Sequence, residues 1–457
     1  MDRTHVILTV GLSEIPVLVG AFRLCCWGLE RDGRLPTFSV LCRDDTTDEA
    51  QRVYRLLESR LRGDSLLGHQ EVLRWTQFVV PYSKPQAIRQ AVANMIRLQP
   101  PDCVFHLHYS GGSRAMSVNA MEALSAYRYE DGRACELETS FLPTGENVIV
   151  HSKRSSTADE RASWALSVSE LAELNGFATE YFSTQCNLRV TASKPDPALV
   201  ELGCDLFTAL QVPENRRVYA DWLQSVWTLC WDSNSGRAKR RWARWPQTPP
   251  KESWPKQPIQ WMTLPNYPNW ELLTTRLRDH FGGGNLWCRS DSGWALHLEH
   301  LVPADLGRLN QFLQYQCLEL FAYRSLREAL ERAGHLKWNV YHSIRVAKSA
   351  PNATVHRDFE LDVVAVLGYE LLVISCSLSA DQAALKRKAF EVLHRAKQVG
   401  GNGARSLLLC ALFAEEARRL QRDVEEDTGP REKNLEILGK DAFRDLPNRI
   451  AKYLSDL

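Results

Sequence analysis

Phe359-Glu-Leu-Asp-Val-Val-Ala-Val-Leu-Gly-Tyr-Glu-Leu-Leu-Val-Ile-Ser-Cys-Ser377 consists of two apolar, β-branched runs joined by a short turn at Gly368. Such residues favour a pleated, half-buried surface, and two such runs around a glycine turn predict a β-hairpin. Glu360 and Asp362 lie near the start of the first strand, and Ser375 and Ser377 close the second. Side chains two positions apart on a strand share a face, so a carboxylate of one strand looks across at two hydroxyls of the other.

The flanking sequence supplies the rest of a fold. Upstream, residues 305–333 carry an amphipathic pattern with Leu306, Leu309, Leu313, Cys317, Leu320, Tyr323 and Leu330 near one stripe and Glu319 inside it. Residues 337–346 alternate as a strand. Downstream come a helix at 380–399, the run Gly400-Gly-Asn-Gly403 and a buried-type strand at 406–411. The order is α–β–β–β–α–β. Acidic side chains gathered on such a hairpin are suited to a divalent cation, which lowers the pKa of a bound water and shields developing phosphate charge.

The chain has 457 residues, enough for two or three domains. Apolar content of 44% and charged content of 24% describe a globular protein, not a disordered one. A net charge of +1 leaves any nucleic-acid role to local patches. The 12 cysteines are scattered without a CxxC pair, which fits reduced, mostly buried thiols in a cytoplasmic protein. The apolar N-terminus is split by Glu14 and Pro16 and reads as strand, loop and helix, not as a signal peptide; no run approaches the ~20 apolar residues of a membrane span.

Residues 1 to about 130 alternate strand and helix patterns: strands at 6–10, 38–42, 78–81 and 103–108, helices at 17–26, 47–62, 85–97 and 114–127. Repeated strand–helix units predict right-handed crossovers and a Rossmann-like parallel sheet, and a hairpin turning at Gly145 follows. Ligands of such sheets sit at the carboxyl ends of the strands. Two loops lie there: Gly11-Leu-Ser13-Glu-Ile-Pro16, and Ser110-Gly111-Gly112-Ser113-Arg114-Ala-Met116 opening a helix. Glycines allow close backbone approach, and a helix start offers free N–H groups to phosphate. A tight strand–helix turn with ordinary polar caps is the alternative.

The middle of the chain is less regular. Ser167-x-x-Glu170 opens a short capped helix, part of a winged-helix-like linker or a plain connection. Lys239-Arg-Arg-Trp-Ala-Arg-Trp245 is dense in cations and tryptophan, suited to a nucleic-acid strand or to a loop pinned by its aromatics. Residues 245–270 are Pro-rich and extended, with Trp242, Trp245, Trp254, Trp261 and Trp270 as anchors. His297 and His300 have the spacing of metal ligands or of a polar helix turn.

His108-Tyr-Ser-Gly-Gly-Ser-Arg-Ala-Met116 resembles the Asn-x-Thr-Gly-Gly-Thr-Lys-x-Met loop of the CRISPR-associated Rossmann fold (CARF) domains, with His108, Ser110, Ser113 and Arg114 as departures. The hairpin, with Cys317-Leu-Glu-Leu-Phe-Ala-Tyr323 and Gly400-Gly-Asn-Gly-Ala404, resembles the PD-(D/E)xK domain of cyclic-oligoadenylate-activated nucleases of type III CRISPR systems. The resemblance implies a homodimer that binds a cyclic oligoadenylate through Gly11, Ser13, Ser110, Gly111, Gly112, Ser113 and Arg114. It implies Mg²⁺ or Mn²⁺ at Asp362, supported by Glu319 and Glu360, and RNA or DNA as substrate. Ser375 then stands at the second acid and Ser377 at the lysine. Either catalysis is degenerate or lost, or the missing groups come from Glu370, Lys386, Lys388 or Glu391. The expectation is α/β throughout: a CARF-like domain at 1–153, a linker region at 154–290 and a restriction-endonuclease-like domain at 291–457. A non-enzymatic nucleotide-sensing or nucleic-acid-binding scaffold is the other reading.

Overall fold

The computed structural model describes residues 4–11, 14–68, 72–81, 84–143, 148–152, 166–174, 187–229, 259–264, 267–281, 287–290, 293–296, 308–309, 311–334, 338–349, 357–379, 381–429 and 434–455. The Gly145 turn, Ser13, the basic run at 239–245 and His297 and His300 lie outside the described residues.

The N-terminal half alternates strand and helix: β1 (Thr4–Thr9), α1 (Ile15–Asp32), β2 (Thr37–Cys42), α2 (Thr47–Gly63), β3 (Trp75–Val79), α3 (Pro85–Arg97), β4 (Val104–His108), α4 (Arg114–Ala126), β5 (Glu136–Phe141) and β6 (Val150–His151). The sheet order is β3-β2-β1-β4-β5-β6. The first five strands are parallel and β6 is antiparallel to β5. β1 and β4 are buried nearly end to end, as expected of parallel strands covered by helices on both faces.

The connecting region holds α5 (Val168–Leu174), β7 (Asn187–Ser193), α6 (Pro197–Ala209), α7 (Pro213–Leu229), β8 (Ile259–Gln260), α8 (Trp270–His280), β9 (Trp287–Ser290) and β10 (Gly293–Leu296). β8, β10 and β9 form a small antiparallel sheet. Trp261 and Trp270 anchor the extended run as anticipated: Trp261 Nε1 donates to Thr274 Oγ1 (3.2 Å) and Trp270 Nε1 to the Met262 carbonyl (3.0 Å).

The C-terminal half follows: a π-turn at Phe312–Gln316, then α9 (Cys317–Arg332), β11 (Asn339–Ser349), β12 (Arg357–Leu367), β13 (Glu370–Ser377), α10 (Gln382–Gly400), β14 (Arg405–Cys410), α11 (Ala414–Thr428), β15 (Leu435–Leu438) and α12 (Leu446–Ser455). Its sheet runs β15-β14-β13-β12-β11-β7. β12 and β13 are the hairpin, and β13, β14 and β15 are parallel. The outer strand β7 comes from residues 187–193, inside the stretch assigned to the linker, because β11 offers its free edge there.

Helix α5 ties the two sheets together. Ser167 and Glu170 form the expected reciprocal cap: Glu170 N donates to Ser167 Oγ (3.2 Å) and Ser167 N to Glu170 Oε2 (2.6 Å). Leu166, Val168, Leu171 and Leu174 enter one apolar core with Val6 and Leu8 of β1 and Val364 and Leu371 of the hairpin. The Leu166 amide donates to the Gly368 carbonyl at the hairpin turn (2.7 Å). No helix among the described residues is long and apolar enough to cross a membrane. Nine of the described cysteines are free, and eight of those nine are buried.

Candidate functional site

At the carboxyl end of the N-terminal sheet, the loops after β1 and β4 touch. A Cβ on Gly11 would sit 2.3 Å from the Gly111 carbonyl oxygen, and one on Gly112 would sit 2.4 Å from Thr9 Cβ. The paired glycines therefore let the two loops pack against each other. Ser110 accepts from the Leu142 amide (2.6 Å) and contacts His108 Nε2 (2.8 Å). Ser113 caps α4, accepting from the Met116 amide (3.2 Å). Arg114, at the start of α4, is exposed. Glu14 is buried and its carboxylate is gripped by Arg52 of α2 through two bonds (2.6 and 3.2 Å), which fixes the first loop against the sheet.

Sequence reasoning missed the polar line beneath α1. His108 lies against Gly20 and shares Ser140 Oγ with His106 (2.9 and 2.7 Å). Burial pushes His108 down to about 3, so it is neutral. His106, Glu138 and His151 come together under Trp27. His106, through its hydrogen bond, pulls Glu138 down to about 2, and Arg31, 3.8 Å from the carboxylate, adds counter-charge.

The C-terminal pocket is built around Asp362. β12 and β13 pair Val363 with Ile374, which sets Asp362 beside Ser375. Ser375 Oγ donates to Asp362 Oδ2 (2.9 Å), as does the Cys376 amide (2.7 Å). Strict alternation fails here: Phe359, Leu361, Val364 and Val366 belong to one core, and Val363, Ala365 and Leu367 to the other. The irregularity coincides with Ser343 on β11 at φ 51°, left-handed backbone that a serine adopts at a cost of about 1–3 kcal/mol. The flip leaves Asp362 between the helices on the two faces of the sheet. Strain and site coincide at this one point of the strand.

Lysine arrives from the helix. Lys388 Nζ of α10 lies 3.4 Å from Asp362 Oδ2 and donates to the Cys376 carbonyl. Burial works against its charge, but Asp362 and, further off, Glu319 outweigh it and hold the ammonium above the ordinary lysine range. Glu360, Glu391 and Arg395 join Asp362, Ser375 and Lys388 around a cavity of about 280 Å³. Glu319 enters from α9, 3.4 Å from His342 Nε2. Burial, with repulsion from Asp362 and Glu360, raises its pKa against the pull of His342.

Of the other residues weighed, Ser377 turns away: its Oγ accepts from the Ser379 amide (3.3 Å). Lys386 pairs with Asp427 (2.9 Å), and Glu370 opens β13 opposite Leu367, away from the pocket. His342 and Arg395 were missed. His342 reaches Glu319 only because β11 and β12 change face at that level, and no sequence period signals this. Asp362, Glu360 and Glu391 line this cavity and are hard oxygen donors, the type that a divalent cation takes; among the described residues the ligand atoms that converge within 4.8 Å of one another are those of His106, Glu138 and His151.

No family model and no curated protein matches the sequence. Solved structures do match over the whole length. One is protein VC1899 from Vibrio cholerae: 14% identity, TM-score 0.62, covering 99% of this chain and 98% of that one. Another is Can2 from Sulfobacillus thermosulfidooxidans in complex with cyclic tetra-adenylate: 14% identity, TM-score 0.57, with the same coverages. This chain has their fold. The likeness runs from the CARF-like parallel sheet to the last helix, so the two α/β units are joined in the same order.

Proposed function

We propose that the chain is a cyclic-oligonucleotide-responsive effector whose C-terminal unit hydrolyses RNA or DNA phosphodiesters in the manner of PD-(D/E)xK nucleases. One observation carries the reading: Lys388 stands 3.4 Å from Asp362, in one cavity with Glu360, Glu391 and Ser375. The lysine expected two residues after the second acid is replaced by one that reaches in from α10, and Glu391, one turn further on, supplies the second carboxylate. The expectation of degenerate or lost catalysis rested on Ser375 and Ser377; Lys388 and Glu391 in one cavity with Asp362 support the alternative, that the missing groups come from α10.

Asp362, Glu360 and Glu391 would hold Mg²⁺ or Mn²⁺, with Glu319 in support. When bound, the cation would make water nucleophilic near neutral pH and shield phosphate charge. The chain's own groups do the rest. Ser375 and the Cys376 amide orient the Asp362 carboxylate through Oδ2, and Lys388 places fixed positive charge where the phosphate's negative charge develops. The Can2 structure, with its cyclic tetra-adenylate, supports the same ligand class here; we place it at the Gly11 and Ser110–Arg114 loops of a homodimer. The Leu166–Gly368 bond and the shared core of α5 offer a mechanical route from those loops to the hairpin.

The test is cleavage of single-stranded RNA and DNA with Mg²⁺ or Mn²⁺, with and without cyclic tetra-adenylate. Stimulated cleavage is expected, and Asp362→Ala or Lys388→Ala should abolish it. Absence of cleavage under all these conditions would sink the enzymatic reading. A non-enzymatic scaffold is the second reading, favoured by the neutral Ser375 hydroxyl bonded to Asp362 where the family pattern has an acid.

A further inference from the structure

The carboxyl ends of β14 and β15 open into a second cleft, of about 690 Å³, lined by Gln211, Pro213, Arg216, Arg217, Phe413, Lys440, Asp441 and Arg444. Four cations face one carboxylate. That carboxylate is already engaged, because Asp441 Oδ2 accepts from the Ala414 amide at the start of α11 (2.8 Å). Glu416 accepts from the Phe413 amide in the same turn (3.0 Å). Arg216 is held by its Nε on the Leu210 carbonyl (3.1 Å), and Lys440 Nζ sits 2.9 Å above the Phe413 ring. Burial and then repulsion from Arg216 lower the Lys440 pKa. Arg217 and Arg444 are exposed and make no hydrogen bond or ion pair among the described residues. Like charges gathered at this density repel one another, and an anion relieves them.

Phe413 adds a second, different signal. It is 58% exposed, directly after β14, amid these cations. Lys440 covers one face of the ring and leaves the other open to a planar partner. Cations that follow a phosphate backbone, with an aromatic face for a base, are the two components of single-strand recognition; a paired base cannot stack on the ring. The cleft is also placed to serve the Asp362 pocket. β13, β14 and β15 are parallel, and their register aligns Ser375 with Leu408 and Leu408 with Ile437. Both sites therefore open at the same end of the sheet, with three strand spacings from β12 to β15, roughly 15 Å.

We infer that this cleft is a track for single-stranded nucleic acid, binding two or more phosphates through Arg217, Arg444, Arg216 and Lys440 and one base on Phe413, and leading the strand to Asp362. The inference rests on the phosphodiesterase reading of the C-terminal unit. The experiment is fluorescence anisotropy of fluorescein-labelled single-stranded 20-mers of DNA and RNA, titrated with the full chain in EDTA across a salt series. An unlabelled duplex serves as competitor, and Arg133→Ala on the N-terminal unit as control.

Arg217→Ala with Arg444→Ala should weaken binding and reduce the magnitude of the log K against log salt slope by about 1.4, since each single-strand phosphate contact contributes about 0.7. Phe413→Ala should weaken binding about 5- to 150-fold with the slope unchanged. These side chains are exposed, so thermal melts of the variants should match wild type. An unchanged slope in the double variant, unchanged affinity in Phe413→Ala, equal competition by the duplex, or no binding by wild type each overturns the track. Binding that follows these expectations without cleavage by wild type refutes the nuclease reading and leaves the track standing. Cleavage with binding indifferent to all three substitutions refutes the track alone.

Discussion

Neutralising Lys388 and Asp362 singly and together isolates the interaction on which the C-terminal site depends. Lys388→Met keeps the aliphatic stem, and Asp362→Asn keeps an acceptor for Ser375 and the Cys376 amide. At 3.4 Å, the Coulomb attraction is about 1.2 kcal/mol if screened as in water and about 5 kcal/mol at an effective dielectric constant near 20. The Lys388 side chain is 35% exposed and that of Asp362 15%, so part of the field runs through solvent. The expected coupling energy is therefore about 2 kcal/mol, well above the ~0.5 kcal/mol scatter of independent sites. Urea unfolding of wild type, both single variants and the double variant, in EDTA, measures it. The double variant should lose about 2 kcal/mol less than the sum of the two single losses, and the coupling should persist in part at 1 M salt because the pair is partly shielded from ions. Additive losses would show that Lys388 and Asp362 do not meet, and the helix-borne lysine would fall with them.

Arg52→Ala should cost about 1–3 kcal/mol in thermal or urea unfolding at neutral pH, because it removes both bonds to the buried Glu14 carboxyl, whose pKa burial already pushes up to about 8; an unchanged stability would contradict a buried pair. Gly11→Ala should destabilise by about 1–3 kcal/mol and weaken cyclic tetra-adenylate binding in calorimetry, since its Cβ would meet the Gly111 backbone, which has no room to yield. His5 is lowered to about 4 by burial between β1 and β2. Between pH 4 and 6.5 the unfolded chain binds a proton there that the folded chain does not, so this histidine's contribution makes stability fall on acidification. His5→Gln should flatten the stability-against-pH slope by about 1.4 kcal/mol per pH unit across that window, and an unchanged slope would refute the assignment.

The alternating pattern of residues 4–126 was enough to read the parallel sheet, because β1, β2 and β4 are short, mostly buried runs and helices carry start signals such as Pro85 or Ser113. The hairpin at 359–377 was legible for the same local reason. Periodicity is a property of neighbours in sequence, and packing rewards it wherever one face is buried. The origin of β7 was not legible, since an edge strand is chosen by the free edge it finds. The loop glycines show the same limit: their type was visible, but their use, backbone against backbone, appears only where two loops 100 residues apart meet.

The candidate site divides in the same way. Asp362 stood out as a carboxylate on an apolar hairpin strand, and Glu319 through the resemblance of Cys317–Tyr323 to a helix of the nuclease family. Sequence alone left Ser375 and Ser377 as vacancies, with Lys388 and Lys386 equal candidates two positions apart on one helix. Two residues on a helix point about 200° apart, so only one could face the sheet. The packing of α10 on β13 chose Lys388 for Asp362 and left Lys386 to Asp427. The sequence by itself determined the strand–helix alternation of the N-terminal half, the hairpin and the acid on its first strand. Which cation completes that acid was decided by the tertiary structure, because charge pairing depends on distance through space and a residue number carries none.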